Sequence, residues 1–123
     1  MGVIAFAPRA DAQTVKRITF ARRATSAVVT GSLRNFQGKR YYVVRVRRGQ
    51  TLRIEQLREA PSHNEITVFI KGPKGDDVSD ADASCNNRKE VTPTVAGDYR
   101  ITVVECQKVS EWSGTFQFRI TVR

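Results

Sequence analysis

Residues 97–106 read Gly-Asp-Tyr-Arg-Ile-Thr-Val-Val-Glu-Cys, and no other stretch limits the choice of fold so strongly. Tyr99, Ile101 and Val103 point to one side of an extended chain, and Arg100, Thr102 and Val104 to the other. A period of two marks a half-buried β-strand, and Ala96-Gly97-Asp98 is the turn that opens it. Phe116-Gln117-Phe118-Arg119-Ile120-Thr121-Val122 repeats the alternation and reads as the antiparallel partner of that strand. Earlier strands are expected at Ser26–Leu33, Arg40–Arg47, Thr51–Leu57 and Glu65–Lys71, with shorter ones at Thr14–Phe20 and Glu90–Val95. Turn residues separate them at Arg34–Lys39, Ala60–Asn64 and Gly72-Pro73-Lys74-Gly75, and Arg48-Gly49-Gln50 is expected to turn the chain so that Thr51–Leu57 returns along Arg40–Arg47. Asp76–Lys89 is polar and without period, and reads as a long loop. No stretch carries a helical apolar period. The expected fold is all-β: a single antiparallel, jelly-roll-like β-sandwich of about eight short strands.

A chain of 123 residues is long enough for one domain with a real core. No apolar run approaches the roughly 20 residues of a membrane helix, so no span is expected. The net charge of +9 draws the protein toward anionic surfaces without choosing among them.

Residues 1–12 read Met-Gly-Val-Ile-Ala-Phe-Ala-Pro-Arg-Ala-Asp-Ala. A short apolar run followed by Ala-x-Ala looks like the remnant of a secretory signal peptide, cleaved before Gln13. An ordinary unstructured N-terminus is the other reading. If the signal reading holds, residues 13–123 form the mature domain in the periplasm or outside the cell. The two cysteines, Cys85 and Cys106, lie in no Cys-x-x-Cys pair and the chain has one His, so zinc is poorly supported. Two independent buried thiols fit the sequence. A disulfide fits it too, and export favours the disulfide.

The order of strands and turns resembles two related groups of bacterial proteins. From Phe36 and Gly38 onward, the pattern is similar to the pre-peptidase C-terminal domains, small jelly-roll sandwiches of secreted proteins. Tyr42, Val44, Val46, Gly49, Gln50, Leu52 and Ile54 carry it, then Gly72, Pro73 and Gly75, then Gly97, Tyr99, Ile101 and Val103. Phe20, Thr25-Ser26-Ala27, Gly31 and Leu33 extend the likeness toward the family of periplasmic inhibitors of goose-type lysozyme. The resemblance covers roughly residues 14–123. The cysteine pair and the arginines of the third strand are not part of that family's pattern. The resemblance implies an exported, non-catalytic binding protein, most specifically an inhibitor whose end loops block the cleft of a lysozyme-like glycan hydrolase.

A Cys85–Cys106 bond would hold the Asp76–Lys89 and Gln107–Gly114 loops at one end of the sandwich. Arg88, Lys89, Lys108, Val109 and Trp112 would then be candidate partner contacts. Trp112 can equally serve to close the end of the core. Between Lys39 and Arg58 lie seven basic residues and one acid. Arg45, Arg47 and Arg53 face outward and suggest a basic sheet face that could bind an anionic glycan, the alternative function. A solvated surface explains the same residues. Nucleic acid is not expected, because stacking aromatics would have to interleave with the arginines and only Tyr41 is available.

Asp76, Asp77, Asp80 and Asp82 form an acidic cluster, and Asp80–Ser84 imitates the start of a calcium loop. Its glycine position is Cys85 and its closing acid position is Val91, so metal is not expected. His63 stands alone, and no nucleophile elbow, metalloprotease helix or phosphate loop appears, so neither catalysis nor a cofactor is expected.

Overall fold

A computed structural model of the chain describes residues 14–35, 37–57, 64–78, 85, 87–108 and 110–123. The expected signal remnant, Phe36, His63, Asp80, Asp82 and Val109 lie outside the described residues. Eight strands form among the described residues: β1 (Val15–Arg17), β2 (Ser26–Leu33), β3 (Arg40–Val46), β4 (Leu52–Gln56), β5 (Ile66–Lys71), β6 (Arg88–Val91), β7 (Gly97–Glu105) and β8 (Gly114–Val122). They make two four-stranded sheets, ordered β1-β3-β7-β5 and β2-β8-β4-β6. All ladders are antiparallel except β1–β3, which is parallel.

Odd-numbered strands occupy one sheet and even-numbered strands the other. Every connection therefore crosses the sandwich, and two sequence expectations are corrected. The stretch at 97–105 is not paired with the last strand: β7 lies between β3 and β5, and β8 between β2 and β4. The turn at Arg48-Gly49-Gln50 likewise hands the chain to the opposite sheet instead of folding it into a hairpin. Period two reveals which face a strand buries but not which strand lies beside it. The segment from Cys106 to Ser113 is also longer than the two to five residues or so that a tight hairpin needs.

Both inner faces meet in one core. Tyr42, Val44, Val46, Ile66, Val68, Ile70, Tyr99, Ile101 and Val103 enter from the first sheet. Val29, Leu33, Leu52, Ile54, Phe116, Phe118, Ile120 and Val122 enter from the second. Full burial of each large apolar side chain contributes roughly 1.5–3 kcal/mol. The Tyr42 ring meets Phe118 edge-on, with centroids 5.5 Å apart. Gly31 lies beneath this cluster, where a Cβ would come within 2.5 Å of Phe116 and 2.6 Å of the Tyr42 hydroxyl.

The expected strand at Glu90–Val95 begins earlier, at Arg88, and ends at Val91. Its pattern was hidden because its inward position opposite Ile54 is Lys89, a charged residue where alternation calls for an apolar one.

Candidate functional site

The two ends of the sandwich differ. At one end lie the connection after β4, the approach to β6 and the β7–β8 connection. Cys85 and Cys106 are bonded there, joining residues 21 apart in sequence. The Cys106 side is rigid because its surroundings are hydrogen-bonded inward. The Cys106 amide donates to the Glu65 carbonyl at 2.9 Å, and the Cys85 amide to the buried Thr67 hydroxyl at 3.1 Å. Asn87 Nδ2 donates to Gln56 Oε1 at 2.9 Å and to Glu65 Oε1 at 3.1 Å. Gln56 in turn accepts from the Ile66 amide and donates to the Asn64 carbonyl.

Glu105 ends β7 pointing into the core, fully buried. Its Oε1 accepts the Trp112 amide at 3.0 Å, while Oε2 has no hydrogen-bond partner. The Trp112 indole donates to the Glu65 carbonyl at 3.3 Å, and its ring packs against the core. Trp112 is thus a half-buried plug that fixes the loop. The loop's outer side carries Gln107, Lys108, Ser110 and Glu111, all exposed. The Lys108 amide donates to Cys106 Sγ, which places Lys108 directly beside the disulfide.

Of the five residues expected to contact a partner from this end, Lys108 and Arg88 are exposed. Arg88 stands on β6, not in a loop, with its guanidinium 3.9 Å from Glu55. Lys89 is only 6% exposed and is directed into the sandwich, so its side chain is not available to a partner. Sequence reasoning missed Glu105 and Gln56, since a buried carboxylate at a strand end looks like any surface acid in a list of residues.

The basic sheet face expected from Arg45, Arg47 and Arg53 does not exist as one face. Arg45 belongs to β3 and Arg53 to β4, and those strands lie in opposite sheets. Arg53 lies 3.8 Å from Glu55 and 3.7 Å from Glu90. Arg45 reaches Asp98 at 3.4 Å. Asp98 also receives two hydrogen bonds from Arg17, at 3.2 and 3.0 Å, which tie β1 across β3 to the start of β7. The Arg17 hydrogen bond, assisted by Arg45, holds the Asp98 carboxyl below its ordinary pKa, and Asp98 raises that of Arg17. Among the described residues, no group of three His, Cys, Asp or Glu side chains is placed to hold a metal ion.

No protein-family model matches the chain, and no curated protein sequence does. Solved structures do. PliG of Aeromonas hydrophila, a periplasmic lysozyme inhibitor of g-type lysozyme, superposes with a TM-score of 0.65 at 15% identity, over 89% of this chain and 96% of its own. PliG of Salmonella Typhimurium gives 0.65 at 16% identity, over 89% and 97%. The pre-peptidase C-terminal domain of a Bacillus anthracis collagenase gives 0.55 at 16% identity, over 90% and 96%. At these identities the likeness is one of fold, and it spans nearly the full length of each neighbour: the chain is a β-sandwich of the kind shared by these periplasmic inhibitors and pre-peptidase C-terminal domains.

Proposed function

We propose that this chain is an exported protein inhibitor of a goose-type lysozyme or a closely related glycan hydrolase, acting from its disulfide-bonded end. In this reading residues 1–12 are the remnant of an export signal and residues 13–123 the working domain. The observation that carries it is the near full-length superposition on two periplasmic inhibitors of that enzyme class, by a chain whose two end connections are locked together. Locked loops suit a blocking role, because a segment ordered in advance loses little entropy on entering a cleft.

Lys108, exposed and next to the bonded Cys106, is the anchor in this reading, with the exposed Arg88 of β6 as a second contact. Val109 would share the tip. Trp112 supports them from below. The inhibitor works sterically: it fills the cleft and excludes glycan, and needs no cofactor or chemistry of its own.

The test is inhibition of purified goose-, chicken- and invertebrate-type lysozymes by the oxidised protein. Selective inhibition of the goose type, weakened about tenfold or more by Lys108→Glu with the fold intact, is the expected result. Failure to inhibit any of the three would overturn this reading.

A further inference from the structure

At the opposite end of the sandwich, three arginines from distant parts of the chain surround one cleft of about 470 Å³: Arg45, Arg47 and Arg123. Its floor is apolar, from Phe20, Val46 and Val122. Each arginine has a fixed base. The Arg47 amide donates to Gln50 Oε1 at 2.7 Å and its carbonyl accepts the Thr94 hydroxyl at 2.6 Å. Arg123 exchanges two backbone hydrogen bonds with Thr51, at 2.7 and 3.1 Å. Arg45 is steadied by Asp98. Among the described residues, no carboxylate pairs with Arg47 or Arg123. Arg47 and Arg123 leave positive charge without a carboxylate partner beside an apolar floor, and an anion in the cleft would neutralise it.

A second cleft of about 540 Å³ adjoins the first, and the two share Thr25 and Arg123. Ser26, Thr51 and Thr121 line it with hydroxyls, and Arg53 and Glu90 stand at its far side. Ser26, Thr121, Arg53 and Glu90 form one row across four hydrogen-bonded strands, a span of roughly 14 Å at ordinary strand spacing. The groove thus runs from an anion-binding cleft, past Arg123, onto a hydroxyl-lined sheet surface where Arg53 is already matched by two acids.

We infer that this groove binds a segment of an acidic polysaccharide. A sulfate or carboxylate sits among Arg45, Arg47 and Arg123, its sugar ring on Phe20 and Val122, and neighbouring neutral sugars lie along the threonine and serine hydroxyls. Planar guanidinium forks match the oxygens of such a group two at a time. The other anionic partners fit less well. A lipid surface wants a flat or protruding apolar patch, and among the described residues the large exposed apolar ones, Val15, Val28 and Val95, are scattered. Single-stranded nucleic acid wants a run of stacking rings, and among the described residues Phe20 is the one aromatic side chain lining either cleft.

The test is calorimetric titration of the oxidised protein with a sulfated oligosaccharide, a polyuronate oligosaccharide, neutral dextran, anionic phospholipid vesicles and a single-stranded oligonucleotide. The expected result is binding to one or both acidic oligosaccharides and none to dextran. Arg47→Ala with Arg123→Ala weakens it about tenfold or more, while Arg34→Ala with Arg100→Ala, which removes the same charge from exposed positions that line neither cleft, changes it less than about twofold. Arg47→Lys keeps the charge and still weakens binding, because a lysine offers no fork. Equal losses in the two double variants would reduce the effect to net charge and overturn the site. Preference for vesicles or the oligonucleotide, or no binding to either acidic oligosaccharide, would overturn the ligand class. The result is separable from lysozyme inhibition, since Arg47 and Arg123 lie at the other end of the sandwich from the disulfide and Lys108.

Discussion

Gly31 shows why a single glycine marks this fold. Its place in β2 is inward, and the space that a side chain would use is filled by Phe116 and Tyr42. Gly31→Ala forces both rings to move and is expected to cost about 1–3 kcal/mol, read as a lower denaturant midpoint with unchanged slope. Asp98 is a residue of a different kind, half-buried and bound by two arginines. Its depressed pKa means that the folded state favours the ionised form. Its contribution is therefore fully present above the unfolded carboxyl value of about 4 and is lost as pH falls through the lower folded value. Asp98→Asn should lower stability at neutral pH and flatten the acid limb of a stability–pH curve measured from about pH 6 to about pH 2. A parallel pair of acid limbs in variant and parent would show that Asp98 plays no such part.

The elements were unequally legible in the sequence. Six of the eight strands stood out because their apolar residues alternate without interruption, as in Tyr42, Val44 and Val46 or in Phe116, Phe118 and Ile120. β6 was displaced in the reading because Lys89 occupies its inward position, and β1 was read too long because only three residues of Thr14–Phe20 pair with β3. Sheet membership was illegible for a physical reason: alternation encodes the buried face, and strands on opposite sides of one core bury theirs identically. The candidate sites inherit this. The disulfide could be argued from residue type and compartment, whereas the groove could not, since Phe20, Arg47 and Arg123 meet only through the sheet order. For the bonded loops, the element-scale expectation is direct. Cys85→Ser with Cys106→Ser opens a loop of about 20 residues in the unfolded chain and should cost roughly 3 kcal/mol. Hydrogen exchange should quicken first at the amides of residues 106–112, while the centres of β7 and β8 stay protected. Uniform loss of protection would mean that the bond supports the whole sandwich instead.

Across the whole molecule the surplus positive charge acts on every encounter. A protein of net charge +9 approaching a basic lysozyme meets long-range repulsion. Association should therefore accelerate as salt rises from about 20 to about 300 mM, because the screening length shortens severalfold over that range. Binding of an acidic oligosaccharide in the groove should weaken over the same range. Stopped-flow and titration series on one preparation separate the two. An association rate that falls with salt would point to an acidic protein partner. The two ends of the sandwich would thus answer to opposite ionic conditions.

The alternation of odd and even strands between the sheets governs when this chain can become a protein. β8 is the last of the eight strands, yet it is the one that joins β2 to β4. Until residues 114–122 are made, β2 has no partner in its sheet, and the apolar residues of β3, β5 and β7 lack the wall that should cover them. The first sheet can pair without β8, yet its apolar inner face has an incomplete second sheet to close against until the last strand is made. Closure of the core therefore waits for the last strand, and removal of residues 114–122 is expected to leave an open first sheet with exposed apolar residues instead of a smaller sandwich.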